Sequence, residues 1–255
     1  LNNWTCVLSD KLDPLISKIK QGLFNSYYVN TDESPINVNG KNHQIHSYSN
    51  EKYTLQYAHE KKSKSAIIEL GFLPNYVGTL IHDHNTVQYN WGTKHGECNA
   101  HILRYLKAAK EFTKHKWSLE MADLLKEILH CKHSLLLENV SNFSKAKLDS
   151  YSQKYDDILK TASNEYLSDY ETNAYKADEK KLISRLKKYK ENHLLFMYDF
   201  KIPFTNNRAE TDIRPAKRKQ NVGIFRSQEG ARCYLRIRSF ISTFLKNNSL
   251  LYSKI

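Results

Sequence analysis

The chain has 255 residues, of which 40% are hydrophobic and 26% charged, and it carries a net charge of +12. That length buries one large core, or one core with a modest inserted subdomain, and the composition excludes a disordered or fibrous chain. No apolar run approaches bilayer-spanning length and no signal-peptide pattern opens the chain, so a cytoplasmic setting with no membrane partner is expected.

In chain order, residues 8–25 place Leu12, Ile16, Ile19 and Leu23 at helical spacing. Tyr27-Tyr28-Val29 predicts a short strand running into Thr31-Asp32-Glu33-Ser34-Pro35, and Val38-Asn39-Gly40-Lys41 predicts a turn. Strands are predicted over His43–Ser49 and Tyr53–Ala58. A short helix follows over 64–73, then a buried-type strand from Tyr76 to Ile81 that ends at Asp83. From Glu97 to Phe200 almost everything reads as helix, opened by Leu103, Leu106, Ala109 and Phe112 and continued by Leu119, Ala122, Leu125, Ile128 and Leu129. Residues 139–181 are polar, and Tyr151, Tyr155, Tyr166, Tyr170 and Tyr175 there read as a Tyr-rich helical surface. Two more helices are predicted, over 207–219 and 230–247, on either side of Asn221-Val222-Gly223. The cysteines Cys6, Cys98, Cys131 and Cys233 form no CxxC pair, which favours free thiols in a reducing compartment over a disulfide framework.

Three acids stand at element ends: Asp32 and Asp83 after predicted strands, Glu210 at the start of a predicted helix. Carboxylates are the natural ligands of Mg²⁺, and a pair of such ions supports in-line phosphodiester displacement. Taken alone, Asn207-x-x-Glu210 reads better as a helix capping box. The charge points the same way as the metal reading. Between residues 201 and 238 ten Lys and Arg face only Glu210, Asp212 and Glu229, a local net charge of +7 that suits a polyanion.

The surroundings of the acids carry more information. Asp32 lies in VNTDESP, Asp83 in LIHDHNTVQY followed by HGECNAHILRYL, and Glu210 in PFTNNRAETDIRPAKRKQNVGIFRSQEGARCYLRIRSFIST. Together these resemble the DDE transposases of the insertion-sequence-66 family, from about residue 10 to the end. The resemblance implies an α/β fold with a ribonuclease-H-like mixed sheet, and Asp32, Asp83 and Glu210 as catalytic residues and metal ligands. It also implies two Mg²⁺ or Mn²⁺ ions, and cleavage and strand transfer at the ends of a mobile element. On that reading the core covers 26–112 and 200–255, a helical insertion covers 113–199, and 1–25 is a separate helical segment. DNA is the partner, contacted by Arg208, Arg214, Lys217, Arg218, Lys219 and Arg226, with self-association and accessory element-encoded proteins as further partners. The setting would be the bacterial cytoplasm, at the nucleoid.

The chain departs from the family pattern at Thr211, where Arg is usual, and Pro215 is expected to kink or shorten the last-acid helix. Relatives carry an N-terminal DNA-recognition region and a cysteine-rich zinc motif with no counterpart here, so this chain is expected to be unable to join specific ends alone. Two rivals stay open: an inactive remnant that binds DNA without cutting it, and a nuclease on the same fold. His95, Cys98 and His101 have the H-x2-C-x2-H spacing of a zinc site, but packing beside the core is the expected role, with His82 and His84 turned away from Asp83.

Overall fold

The computed structural model describes residues 2–169 and 175–252, so Tyr170 lies outside the described residues. Helices α1 (Asn2–Lys11) and α2 (Asp13–Phe24) precede strands β1 (Tyr28–Val38), β2 (Lys41–Ser49) and β3 (Thr54–His59). Helix α3 (Lys64–Leu70) leads to β4 (Thr79–His82) and β5 (Lys94–Glu97). There follow α4 (Asn99–Thr113), α5 (Trp117–Leu137), α6 (Lys145–Ser168), α7 (Lys176–Lys188), α8 (Lys190–Tyr198), α9 (Asn207–Val222) and α10 (Gln228–Tyr252). Two compact units result, one from 1–95 with 206–255 and one from 96–205. The helical unit therefore takes in α4, which the sequence assigned to the core, while α1 and α2 join the core unit instead of standing apart as 1–25.

The core unit holds a mixed sheet in the order β3-β2-β1-β4-β5. β1 is antiparallel to β2 and parallel to β4. Where one helix was expected over 8–25 there are two, because Pro14 lacks a backbone donor and suits the first turn of α2. The β1–β2 hairpin turns on Asn39 (φ 49°) and Gly40 (φ 81°), the paired left-handed residues of a two-residue turn that matches strand twist. β1 runs on through Asp32 and Pro35 to Val38, much further than the sequence suggested. The proline is tolerated because the ladder with β4 covers only Tyr28–Asn30, leaving β2 as the strand partner beyond. β5 escaped the sequence reading; Lys-His-Gly-Glu has no strand signature.

Alternating side chains build a core on each face of the sheet. Val29, Tyr48, Leu55 and Leu80 pack with Ile16, Ile19 and Leu23 of α2 and with Phe72 and Tyr76. Ile36, Val38 and Ile45, from the opposite parity, pack with Ile213 and Ala216 of α9 and with Ala231 and Leu235 of α10. Helix α9 continues to Val222 despite Pro215. A buried polar knot ties it to the sheet. Asp212 Oδ2 accepts from Thr54 Oγ1 (2.9 Å) and Lys246 Nζ (2.6 Å), and Gln56 Nε2 donates to the Asp212 carbonyl (2.7 Å).

α10 also covers the open edge of β3. The Thr54 and Gln56 amides donate to the hydroxyls of Thr243 (3.0 Å) and Ser239 (2.9 Å) instead of to another strand. Ser239→Ala and Thr243→Ala each strand a buried amide, so each is expected to cost roughly 1–3 kcal/mol in a urea melt. Losses within experimental error would mean the edge is satisfied another way. The sulfurs of Cys6 in α1 and Cys233 in α10 are joined as a disulfide, which corrects the expectation of four thiols; Cys98 and Cys131 are not part of a disulfide.

The helical unit buries Trp117, Leu125, Tyr151, Tyr155, Leu186 and Phe196. Tyr151 and Tyr155 are thus core residues and not part of a surface, and Tyr155 Oη donates to the Leu186 carbonyl (3.1 Å). Tyr166 and Tyr175 are half-buried. Two buried ionisable groups are held by hydrogen bonds. Glu179 accepts from the Trp117 indole (2.8 Å) and pairs with His115 (2.7 Å), and Lys132 donates to the Phe196 (3.1 Å) and Ile202 (2.7 Å) carbonyls.

Candidate active site

Along β1, Asn30, Asp32, Ile36 and Val38 share the face that α9 covers. Asn30 Nδ2 donates to Asn206 Oδ1 (3.0 Å), and Asn206 Nδ2 donates to the Thr31 carbonyl (2.9 Å). This amide clamp holds the start of α9 against β1 and carries Glu210, one turn further on, toward Asp32. Asn206 is the N-cap and its side chain makes no capping bond. Glu210 is therefore one position too far along the helix for a capping box, so the box predicted from Asn207-x-x-Glu210 does not form.

Asp83 arrives by strand register. Tyr28 pairs with Thr79 and Asn30 with Ile81, and the same offset carried two residues further sets Asp32 against Asp83, just past the end of β4. Oxygens of Asp83 and Glu210 lie within 4.8 Å of each other. The electrostatics report all three acids together. Burial pushes the Asp32 carboxyl up to about 7, and the charges of Asp83, Glu210 and Glu33 add to it against the opposing pull of the Glu33 amide, which donates to Asp32 Oδ1 (2.8 Å). The three acids singled out in the sequence thus converge.

Glu33 was not singled out, yet it anchors the site from behind. As the next residue along β1 it faces the other side of the sheet, where it accepts from Asn85 Nδ2 (3.0 Å) and Gln88 Nε2 (3.2 Å). It also pairs with His46 Nδ1 (3.2 Å) and Lys62 (3.3 Å). Burial raises its pKa, but the hydrogen bond and charge of His46, joined by Lys62, win and hold it below the usual value. Glu33 thereby fastens the turn after Asp83 to β1. Period-2 alternation could have flagged a buried acid here; its partners, remote in sequence, could not be seen. His82 Nε2 and His95 Nδ1 meet at 3.1 Å, with the Tyr89 ring edge-on to His82 and tilted against His95, while Cys98 is the N-cap of α4 and His101 lies in its first turn, in the helical unit.

The model of the IS66 transposase family matches residues 1–233. The chain belongs to the IS66 transposase family. Comparison with curated proteins gave no match, and comparison with solved structures gave none either. Members of this family cleave and transfer DNA, so DNA is the partner that membership implies. No helix among the described residues is long and apolar enough to cross a membrane.

In this IS66-family chain the basic stripe is narrower than its sequence suggests. Arg208, Arg214, Arg218 and Arg226 are exposed. Lys217 Nζ donates to the Pro35 carbonyl (2.7 Å), and Lys219 Nζ donates to the Gly223 carbonyl (2.7 Å) while lying 4.7 Å over the Phe225 ring. Arg232 is held by Glu229, and Arg236 pairs with Asp13. Arg214 falls one turn after Glu210 on the same side of α9. Replacing Arg214 and Arg218 together by Ala is expected to flatten the log–log salt dependence of DNA binding by about two units, whereas Lys217→Ala with Lys219→Ala should change it far less. Equal effects from the two pairs would show that the tethered lysines reach phosphate after all.

Proposed function

We propose that the core unit is the catalytic domain of a DDE transposase, with Asp32, Asp83 and Glu210 as ligands for a pair of divalent ions, Mg²⁺ or Mn²⁺. The observation that supports this reading is that oxygens of Asp83 and Glu210 lie within 4.8 Å of each other, while burial, followed by the charges of Asp83 and Glu210, raises Asp32 to about 7. The three carboxylates offer anionic oxygen donors, which suit a hard cation. Such ions, when bound, supply charge neutralisation for the attacking and leaving oxygens of an in-line phosphoryl displacement.

The residues of the chain divide the remaining work. Asp32 presents its carboxyl from β1, Asp83 presents its own from just past the end of the adjacent parallel β4, and Glu210 closes the set from α9. The amide clamp of Asn30 and Asn206 fixes that closure, and Glu33 fixes the turn carrying Asp83. Arg214 and Arg218 bind backbone phosphate beside the reacting one, with Arg208 and Arg226 extending the track. The strand order, with β1 flanked by antiparallel β2 and parallel β4, supports a ribonuclease-H-like core. The helical unit then stands as an insertion between the second and third acids. A cytoplasmic, nucleoid-associated setting follows from DNA as substrate.

The direct test is nicking of a duplex carrying the element's terminal sequence, with the protein in Mn²⁺. Strand cleavage with a free 3′-hydroxyl is the expected result. DNA binding without cleavage would select the inactive remnant, and cleavage with no transfer of the freed 3′-hydroxyl to a second duplex would select a nuclease.

A further inference from the structure

Cys6 and Cys233 are 227 positions apart in sequence, yet their Cα atoms are 5.1 Å apart and their sulfurs are bonded. That separation is within the range a disulfide requires. The two sulfurs differ in access: Cys6 is half-buried and Cys233 completely buried. Glu229, one turn before Cys233, brings Oε1 to 3.5 Å from the Cys233 sulfur, and Arg232 holds that carboxylate in place. Across the same seam Arg236 Nη2 donates to the Ser9 carbonyl (3.4 Å). Arg232 approaches Asp10 at 3.9 Å, and Arg236 pairs with the exposed carboxylate of Asp13.

We propose that Cys6 and Cys233 form a thiol–disulfide exchange site whose oxidant is a low-molecular-weight disulfide, and whose closure locks α1 onto α10. The accessible Cys6 loses its proton to solvent, and its thiolate attacks one sulfur of the small disulfide. That bond breaks, and one small thiol departs with a proton, leaving a mixed disulfide on Cys6. Cys233 then passes its proton to Glu229 and its thiolate attacks the Cys6 sulfur; the mixed-disulfide bond breaks, and the second small thiolate departs, taking up that proton. Two protein thiols are oxidised to one disulfide, and one small disulfide is reduced to two thiols. An excess of small thiol runs the same steps backwards. The closed form ties together helices at opposite ends of the chain, which restricts the unfolded chain most where the closed loop is longest. The site is independent of the DNA chemistry of the core.

The test uses the full chain equilibrated in buffers of reduced and oxidised glutathione, quenched by alkylation and digested for mass analysis. The expected product in oxidising buffer is one cross-linked peptide pair joining Cys6 to Cys233, with Cys98 and Cys131 alkylated. A higher Tm should accompany it, and Cys6→Ser, at the half-buried position, should abolish both the cross-link and the Tm difference while keeping its circular dichroism. Four alkylated cysteines in the most oxidising buffer would overturn the proposal. So would a cross-link to Cys98 or Cys131, or equal Tm for the reduced and cross-linked forms.

Discussion

Asp32→Asn is expected to lower Mn²⁺-dependent strand cleavage by at least about a thousandfold, which corresponds to about 4 kcal/mol of transition-state stabilisation. The fold should survive, since Asn keeps the shape and still accepts from the Glu33 amide. A second readout separates a metal ligand from a merely structural acid. In the metal-free protein burial pushes the Asp32 carboxyl up to about 7, against about 3.9 for a free aspartate, so between those values the folded state binds more protons than the unfolded one. Stability contributed by that proton is complete below the lower value and is lost as pH rises through the higher one. The metal-free wild type should therefore lose stability from pH 4 to pH 7, and Asp32→Asn should lose less. Near pH 8, Mg²⁺ should raise the Tm of the wild type and not that of the variant. Identical pH profiles and identical responses to Mg²⁺ would remove Asp32 from the metal site.

Asp212→Ala is expected to destabilise the core unit by roughly 3–5 kcal/mol, because it removes the carboxylate bonded to the largely buried Lys246 ammonium. Burial already holds Lys246 below its usual pKa, although Asp212 beside it pulls the other way. The corresponding fall in Tm is about 10 °C. A paired substitution, Asp212→Ala with Lys246→Met, removes the stranded charge and should recover much of the loss. If the single variant melted within a degree of the wild type, the knot joining α9, α10 and β3 would contribute little. Glu210 would then depend on the Asn206 clamp alone for its place.

The sequence carried the three acids further than it carried the elements that hold them. Asp32 was assigned to a strand end, but it lies within an eleven-residue strand. Polar Asn30 and Thr31 hid the continuation, because the Asn30 side chain and the Thr31 carbonyl are bonded by the remote Asn206. The hairpin at Asn39-Gly40 was legible because both residues must adopt left-handed backbone, a purely local demand. Capping was misjudged by one residue: Asn206 and Asn207 both suit an N-cap, and only the tertiary bonds to β1 decide between them. The buried tyrosines of α6 were mistaken for a surface because lysines and aspartates surround them. The basic stripe was overcounted for a related reason, since composition cannot tell an ammonium bonded to a carbonyl from one facing water. Cys6 and Cys233 gave no spacing signal at all; their meeting depends on α1 and α10 packing together.

The hydroxyls of Ser239 and Thr243 cover a strand made about 185 residues earlier. On a ribosome adding roughly 5–20 residues per second, β3 emerges roughly 10 to 40 seconds before its cover does. During that interval the nascent chain holds a bare hydrogen-bonding edge, and the helical unit, contiguous from 96 to 205, is synthesised in between. Neighbouring chains on one message would offer each other the same open edge. Slow or paused synthesis should therefore favour strand-exchanged or aggregated product, and fast completion of the last fifty residues should favour the monomeric core.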